Sequence, residues 1–423
     1  MPSRGEHNDS NTELTQAKQP VAGNGLLHRR VFLQGGAVAA GALLLQRAAA
    51  EPRAPGAPLT GYGHPARHEQ HVQRGHFSLQ QGTVGSGASR TPLQHLQGTL
   101  TPAGLHFERH HSGVPDIHPD THQLTVHGAV RQPLQFATED LLRYPMASKI
   151  LFLECSGNSA VNLSPQAQAL SCGQIHGLIS GSEWTGVPVS YVLEEAGVDP
   201  QAAWVIAEGA DAARMNRSIP MAKMLDDAMI ALYQNGERLR PENGYPMRLL
   251  LPGYEGNASV KWLRYLQVSP QPAMSRQETA KYTDMRSDGR AEVFTFPMEV
   301  KSVITSPSPG LQLDAPGYYE ITGLAWSGRG AIRKVELSAD GGASWTQAEL
   351  GGPLLPQALT RFRLAWRWDG QPCTLMSRAA DDYHTQPSRA ALVKRWGQRF
   401  FYHYNAIQSW QVQASGQLEN TYV

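Results

Sequence analysis

Cysteine is scarce in this chain: 423 residues contain only Cys155, Cys172 and Cys373. Three thiols cannot all pair, so in an oxidising compartment at least one stays free, and a chain of this length does not depend on a disulfide framework. An excess of one charge is missing too. A net charge of +1 lacks the basic surplus of a nucleic-acid binder. No run of eighteen or more uninterrupted apolar residues occurs, so no membrane-spanning helix is expected. Several chemical motifs are also lacking. Cys172-Gly173-Gln174-Ile175-His176 has no second cysteine, and covalent haem needs Cys-x-x-Cys-His. There is no His-Glu-x-x-His helix for zinc and no Gly-x-Ser-x-Gly elbow for a serine nucleophile. Gly82, Gly85 and Gly87 lack the preceding strand and following helix of a dinucleotide site.

What is present begins with a leader-like N-terminus. Arg29-Arg30 precede Val31-Phe32-Leu33, then an apolar stretch from Gly35 to Leu45, then Ala48-Ala49-Ala50. This is the order of a basic region, a short apolar region and a small-residue cleavage site, with paired arginines as in a twin-arginine signal. Residues 1–50 are therefore expected to direct export of the folded chain to the periplasm, with the mature protein starting near residue 51. Residues 51–100, rich in Gly, Pro, His and Gln, are expected to form an extended arm over the surface.

From 101 to 300 the pattern is mixed. Leu124–Gly128, Ile150–Leu153 and Arg248–Leu251 have the look of short strands. Val189, Val192, Leu193 and Ala196 are at helical spacing with Gly197 as a stop; Met221, Met224, Leu225 and Ala228 repeat this, with Gly236 beyond. Ser306–Gly310 is expected to be a linker. Beyond it, Tyr319–Leu324, the run Ile332, Val335, Leu337 before Asp340-Gly341-Gly342, and the alternating Phe362, Leu364, Trp366, Trp368 predict an all-β sandwich over 301–423. The expected fold class is α+β followed by that sandwich. Asp381 and Asp382 are taken as turn residues, and Trp366 and Trp368 as sandwich packing.

Cys155 follows a predicted buried strand and enters Ser156-Gly157-Asn158. A thiolate at such a strand mouth can reach a ligand and suits a soft metal site; a buried structural cysteine fits the same local pattern. Around it stand Phe107-Glu108-Arg109-His110-His111, Gly244-Tyr245-Pro246-Met247-Arg248 and Ser259-Val260-Lys261-Trp262. These segments, in this order, resemble the molybdopterin-binding domain of the sulfite oxidase family, and the C-terminal part resembles its Ig-like dimerisation domain. Glu183-Trp184-Thr185-Gly186-Val187, Lys281-Tyr282-Thr283, Pro252–Asn257 and Asn405–Trp410 look most like the branch formed by molybdenum subunits of sulfane dehydrogenases.

The resemblance carries implications residue by residue. Cys155 is implied as the molybdenum ligand. Phe107, Arg109, His110, His111, Asp211, Asn243, Arg248, Ser259, Val260 and Lys261 are implied to hold molybdopterin, and Arg109 and Tyr282 to act at the reacting centre. Arg and Lys can meet an anionic phosphate, while Asp and Asn can meet a ring edge of donors and acceptors. The implied reaction is oxygen-atom transfer from a molybdenum-oxo group to a sulfane (persulfide) sulfur on a carrier protein. Electrons then pass to a c-type cytochrome, within a homodimer that forms part of a hetero-oligomer.

One departure bears on the substrate. Family members that oxidise free sulfite carry arginines just after the Cys-x-Gly-Asn turn, where this chain has Ser159 and Ala160. A small dianion loses affinity without that charge, so a carrier-bound substrate is favoured. Free sulfite dehydrogenation, sulfoxide reduction on the same fold, and a non-catalytic partner-binding role stay open. His110, His111, His118 and His122 lie within thirteen residues but without zinc-ligand spacing, and are read as loop histidines.

Overall fold

A computed structural model describes residues 58–78, 83–397 and 400–423. The twin-arginine region and Gly82 lie outside those residues. Ala66–Val423 forms one unit, an α+β domain followed by a β-sandwich.

Of the stretch expected as an arm, residues 66–78 and 83–100 belong to that unit. Gly75–Ser78 and Gly87–Arg90 pair antiparallel with each other, and Gly87–Arg90 pairs with Glu108–His110. This small sheet carries Arg109 and His110. Beyond it, Thr91 and Leu93 are buried, and the Thr91 hydroxyl meets the Ser180 hydroxyl at 2.8 Å. Two five-stranded sheets follow. In one, Ala147–Glu154 pairs with Ile179–Pro188, which pairs with Met229–Gln234. Met229–Gln234 also pairs with Glu237–Arg238 and Arg248–Leu250. In the other, Leu263–Ser269 lies between Gln123–Gly128, parallel to it, and Trp204–Gly209, antiparallel.

The helix Val189–Ala196 follows its sequence pattern. Val189, Val192, Leu193 and Ala196 are fully buried, and each large apolar side chain removed from water contributes about 1.5–3 kcal/mol. Gly197 ends it with φ +70°, its N–H bonding the Leu193 and Glu194 carbonyls, a conformation that suits glycine at a helix end. The second helix departs from the expectation. It stops at Asp226, leaves Leu225 49% exposed, and hands over to the strand from Met229. Gly236 is not a helix stop: Asn235 (φ +50°) and Gly236 (φ +83°) form the tight turn of a hairpin, the geometry Asn-Gly favours.

The sandwich packs Lys301–Ser306, Gly317–Trp326, Thr360–Trp368 and Glu349–Leu350 against a five-stranded sheet containing Lys334–Ser338, Cys373–Ala380 and Ser409–Val412. Val303, Leu324, Phe362, Leu337, Leu375 and Trp410 fill the space between. Phe152, Cys172 and Ile175 of the first domain join the same cluster. Residues 306–310 are therefore not a linker between domains. Ser308 is fully buried, with its hydroxyl on the Thr305 carbonyl, at a corner within the sandwich. Cys155, Cys172 and Cys373 are all unpaired thiols.

Candidate active site

Ala147–Glu154 delivers Cys155 to its turn. The Cys155 N–H bonds the Leu178 carbonyl (2.9 Å) and the Asn158 N–H bonds the Cys155 carbonyl (2.8 Å). The Asn158 amide locks the turn, giving to Glu154 Oε1 (2.9 Å) and accepting from the Leu178 N–H (3.1 Å). Gly256 lies against this strand end; a Cβ there would sit 2.8 Å from the Glu154 carbonyl oxygen, so the neighbouring loop approaches closely because residue 256 has no side chain.

Cys155 opens into a cavity of about 710 Å³, open solvent at its entrance included. Phe107, Arg109, His110, His111, Asp211, Asn243, Arg248, Ser259, Val260, Lys261 and Tyr282 line the same cavity, so residues far apart in the sequence converge there. His106, Met215, Asn257 and Trp262 line it as well. Of the other histidines in the run, His118 is exposed and His122 is turned to the Leu263 carbonyl (2.8 Å), so the four do not converge.

The floor is cationic and answered mainly by neutral groups. Lys261 Nζ donates to His110 Nδ1 (2.8 Å) and to the Glu242 (3.0 Å) and Arg109 (3.3 Å) carbonyls. His110 Nε2 then faces Glu108 Oε2 (2.8 Å), which fixes its tautomer with the proton on Nε2. Arg248 gives Nη1 and Nη2 to the Asn243 and Ser259 carbonyls, both at 2.9 Å. Its Nε is buried with no hydrogen-bond partner among the described residues, as is Asn257 Oδ1.

Burial lowers Arg248 to about 9. Burial, with Arg248 beside it, drives Lys261 well below its ordinary value. His111 falls to about 4 through burial and then the Arg109 and Lys261 charges. Burial is the main cause in each case, with cations held out of water close to one another, and an anion bound there would relieve that cost.

On the reacting side, burial pushes the Cys155 thiol up while Arg109 opposes the shift. The Tyr282 hydroxyl shares a 3.2 Å hydrogen bond with His111 Nε2. Burial, with Cys155 and Tyr402 nearby, raises its pKa and keeps the phenol protonated. Ser159 does not face the cavity, contrary to the role its position suggested. It is buried in a left-handed conformation (φ +69°), with its hydroxyl 2.6 Å from His176 Nδ1 and 2.7 Å from Lys301 Nζ. Neither it nor Ala160 lines the cavity.

Sequence reasoning missed the wall behind the site. Lys301 Nζ lies 3.1 Å from Glu154 Oε1, and Trp326 Nε1 donates to Glu154 Oε2 at 2.7 Å. Arg217, Glu255, Glu278 and His403 form a second buried cluster. Glu255 falls within the run Pro252–Asn257 noted above, but Arg217, Glu278, Lys301, Trp326 and His403 stand alone in unrelated segments, and no local pattern marks them.

Residues 111–277 match the family described as oxidoreductase molybdopterin binding domain, and residues 292–408 the Mo-co oxidoreductase dimerisation domain. Sulfite oxidase of Gallus gallus is 31% identical over 70% of this chain and 69% of its own length. Mitochondrial sulfite oxidase of Homo sapiens is 31% identical over 70% of this chain and 58% of that protein, so this chain spans about three fifths of the mitochondrial enzymes. The crystal structure of the sulfane dehydrogenase SoxCD from Paracoccus pantotrophus superposes with a TM-score of 0.85 at 44% identity, covering 88% of this chain and 96% of that one.

The cofactor this implies is molybdenum held by molybdopterin, and the cavity fits it. Its uncompensated cations and unpartnered Arg248 Nε suit an anionic phosphate, and the Cys155 thiol suits the metal. The matched domains and the relatives agree: this chain belongs to the sulfite oxidase family of molybdopterin-binding oxidoreductases.

Proposed function

We propose that this protein oxidises a sulfane sulfur carried on a partner protein, in thiosulfate or sulfur oxidation, and passes the electrons to a c-type cytochrome. The observation that carries the reading is the cavity in which Cys155, Arg109 and Tyr282 meet a cationic floor. The 44% identity to a sulfane dehydrogenase, against 31% to sulfite oxidases, supports the sulfane substrate.

When bound, molybdenum–molybdopterin supplies oxygen-atom transfer and takes up two electrons. Cys155 would hold the metal, while Arg248, Lys261, Asn243 and Asp211 would hold the pterin. The Arg109 guanidinium draws an anionic persulfide end toward the thiol. The Tyr282 phenol donates a hydrogen bond at the reacting end and, being buried, excludes water from that side. In this reading a separate carrier takes the electrons. A chain loaded with cofactor before export suits the folded-protein route suggested by Arg29-Arg30, and the site is assigned to the periplasm. The dimerisation domain supports a homodimer, which in this reading forms part of a larger complex with the cytochrome.

The test is metal analysis with turnover on protein matured through its own signal pathway, comparing free sulfite with a carrier-bound persulfide and using cytochrome c as acceptor. About one molybdenum per chain with persulfide turnover is expected. Sulfite turnover alone would move the substrate within the family, and methionine sulfoxide reduction by reduced viologen would make the protein a reductase. Cys155→Ser is expected to remain folded and lose turnover.

A further inference from the structure

Behind Tyr282 lies a charge cluster with no contact to the cavity floor in the bonds described above. Arg217, on the strand Asn216–Pro220, has no exposed side-chain surface. Its Nε and Nη2 meet the two oxygens of Glu278 at 3.0 and 3.2 Å, a bidentate pair, and its Nη1 meets Glu255 Oε1 at 2.6 Å. The Ser218 N–H adds a 2.8 Å bond to Glu278 Oε1. Glu278 and Glu255 are themselves buried.

Each partner leads to a working part of the site. Glu278 sits in the wide turn Gln277–Lys281, and the Tyr282 N–H closes that turn on the Gln277 carbonyl at 2.9 Å. Wide turns of this kind recur at functional sites. Glu255 Oε2 meets His403 Nε2 at 3.1 Å, and the His403 N–H meets the Ser156 carbonyl, next to Cys155, at 2.9 Å. The guanidinium carbon lies 4.7 Å from the centre of the Tyr282 ring. The phenol is thus held by a cation on its face, by the Tyr402 ring at 5.3 Å, and by His111 at its hydroxyl.

Buried ion pairs rarely beat a packed apolar core in stability, because desolvation offsets their attraction. A fully buried arginine shared by two carboxylates is therefore a costly way to fill space, and its position under the site tyrosine gives it a use. We propose that Arg217 is a positioning residue, which fixes the ring plane and hydroxyl direction of Tyr282 and ties the tyrosine turn to the Cys155 turn through Glu255 and His403. Its bearing on turnover rests on the proposed sulfur oxidation; its hold on Tyr282 does not.

The experiment uses cofactor-loaded protein labelled with 13Cζ-tyrosine. Among the fourteen tyrosines, the Tyr282 resonance is the one missing from Tyr282→Phe. In Arg217→Met it should move or broaden, and in Glu278→Gln, which keeps the shape of the turn, move less in the same direction. Persulfide turnover in Arg217→Met should fall about 10²-fold, mainly in kcat, as expected of a misplaced reacting group. In the Tyr282→Phe background the same substitution should cost less than about twofold, the non-additivity of two residues acting as one unit. An unmoved Tyr282 resonance in either folded variant, or losses that simply multiply, would overturn the proposal. Should Arg217→Met fail to fold, Glu278→Gln gives both readouts. A moved resonance in protein inert toward persulfide would support the positioning role and refute the assigned substrate.

Discussion

Two groups of buried charge meet the Cys155 turn, and they are built on opposite rules. In the cavity floor, Lys261 and Arg248 spend their donors on carbonyl oxygens and a histidine ring. In the wall behind, Lys301 faces Glu154 at 3.1 Å, and Arg217 faces Glu255 and Glu278 at 2.6 and 3.0 Å. The pKa directions follow this contrast at Lys261 and Arg217, although burial still lowers Lys301 despite its Glu154 partner. Burial and a neighbouring cation depress Lys261, whereas the two carboxylates outweigh burial and raise Arg217. Charge left unbalanced inside a protein marks where a ligand of opposite sign completes the site. Charge balanced within the chain sets geometry.

The largest test of that contrast lies in the wall. Lys301→Met leaves the Glu154 carboxylate buried without its cation and should destabilise the protein by about 3–5 kcal/mol, measured by urea unfolding. Adding Glu154→Gln should recover much of the loss. A single-variant cost below about 1 kcal/mol, the range of an exposed pair, would break the comparison.

The floor should respond the other way. Lys261→Gln in cofactor-free protein removes an unbalanced charge and should leave stability unchanged or raise it by about 1 kcal/mol, while the molybdopterin retained on purification falls. A clear loss of stability in the cofactor-free chain would mean that Lys261 is as structural as Lys301.

The smallest effect is one of slope. His106 and His111 are lowered to about 3 and about 4 from 6.5, by burial first and by neighbouring cations second. Between pH 6.5 and 4 the unfolded chain binds protons that the fold refuses, so stability is full above that window and falls as the pH drops through it. Melting temperature against pH in cofactor-free protein should show this acid limb, and His111→Asn should make it shallower.

How much of this could be read from the sequence depends on distance along the chain. Cys155 and the cavity residues were legible through the family resemblance, carried by short runs such as 107–111 and 259–261; the strand and turn beside Cys155 alone fit a structural cysteine as well. The first helix was legible from apolar spacing and Gly197. The second was overextended because Ala228 kept the spacing while the chain had already turned into a strand, and Asn235-Gly236 was the hairpin signal passed over. Residues 306–310 carry the composition of a linker, yet burial of Ser308 depends on strands far away. Arg217, Glu255, Glu278 and His403 meet only after folding, and isolated charges have no periodicity to betray them.

The Glu154 wall also sets an order of events. Its cation, Lys301, and its indole donor, Trp326, belong to the sandwich. Through Ser159 and His176 the same chain of bonds reaches Gln408 (3.0 Å) and then Asn420 (2.8 Å). A nascent chain leaving the ribosome therefore carries the cysteine long before it carries the groups that brace it. The brace of the Cys155 turn is complete only when the sandwich strands have folded back onto Glu154.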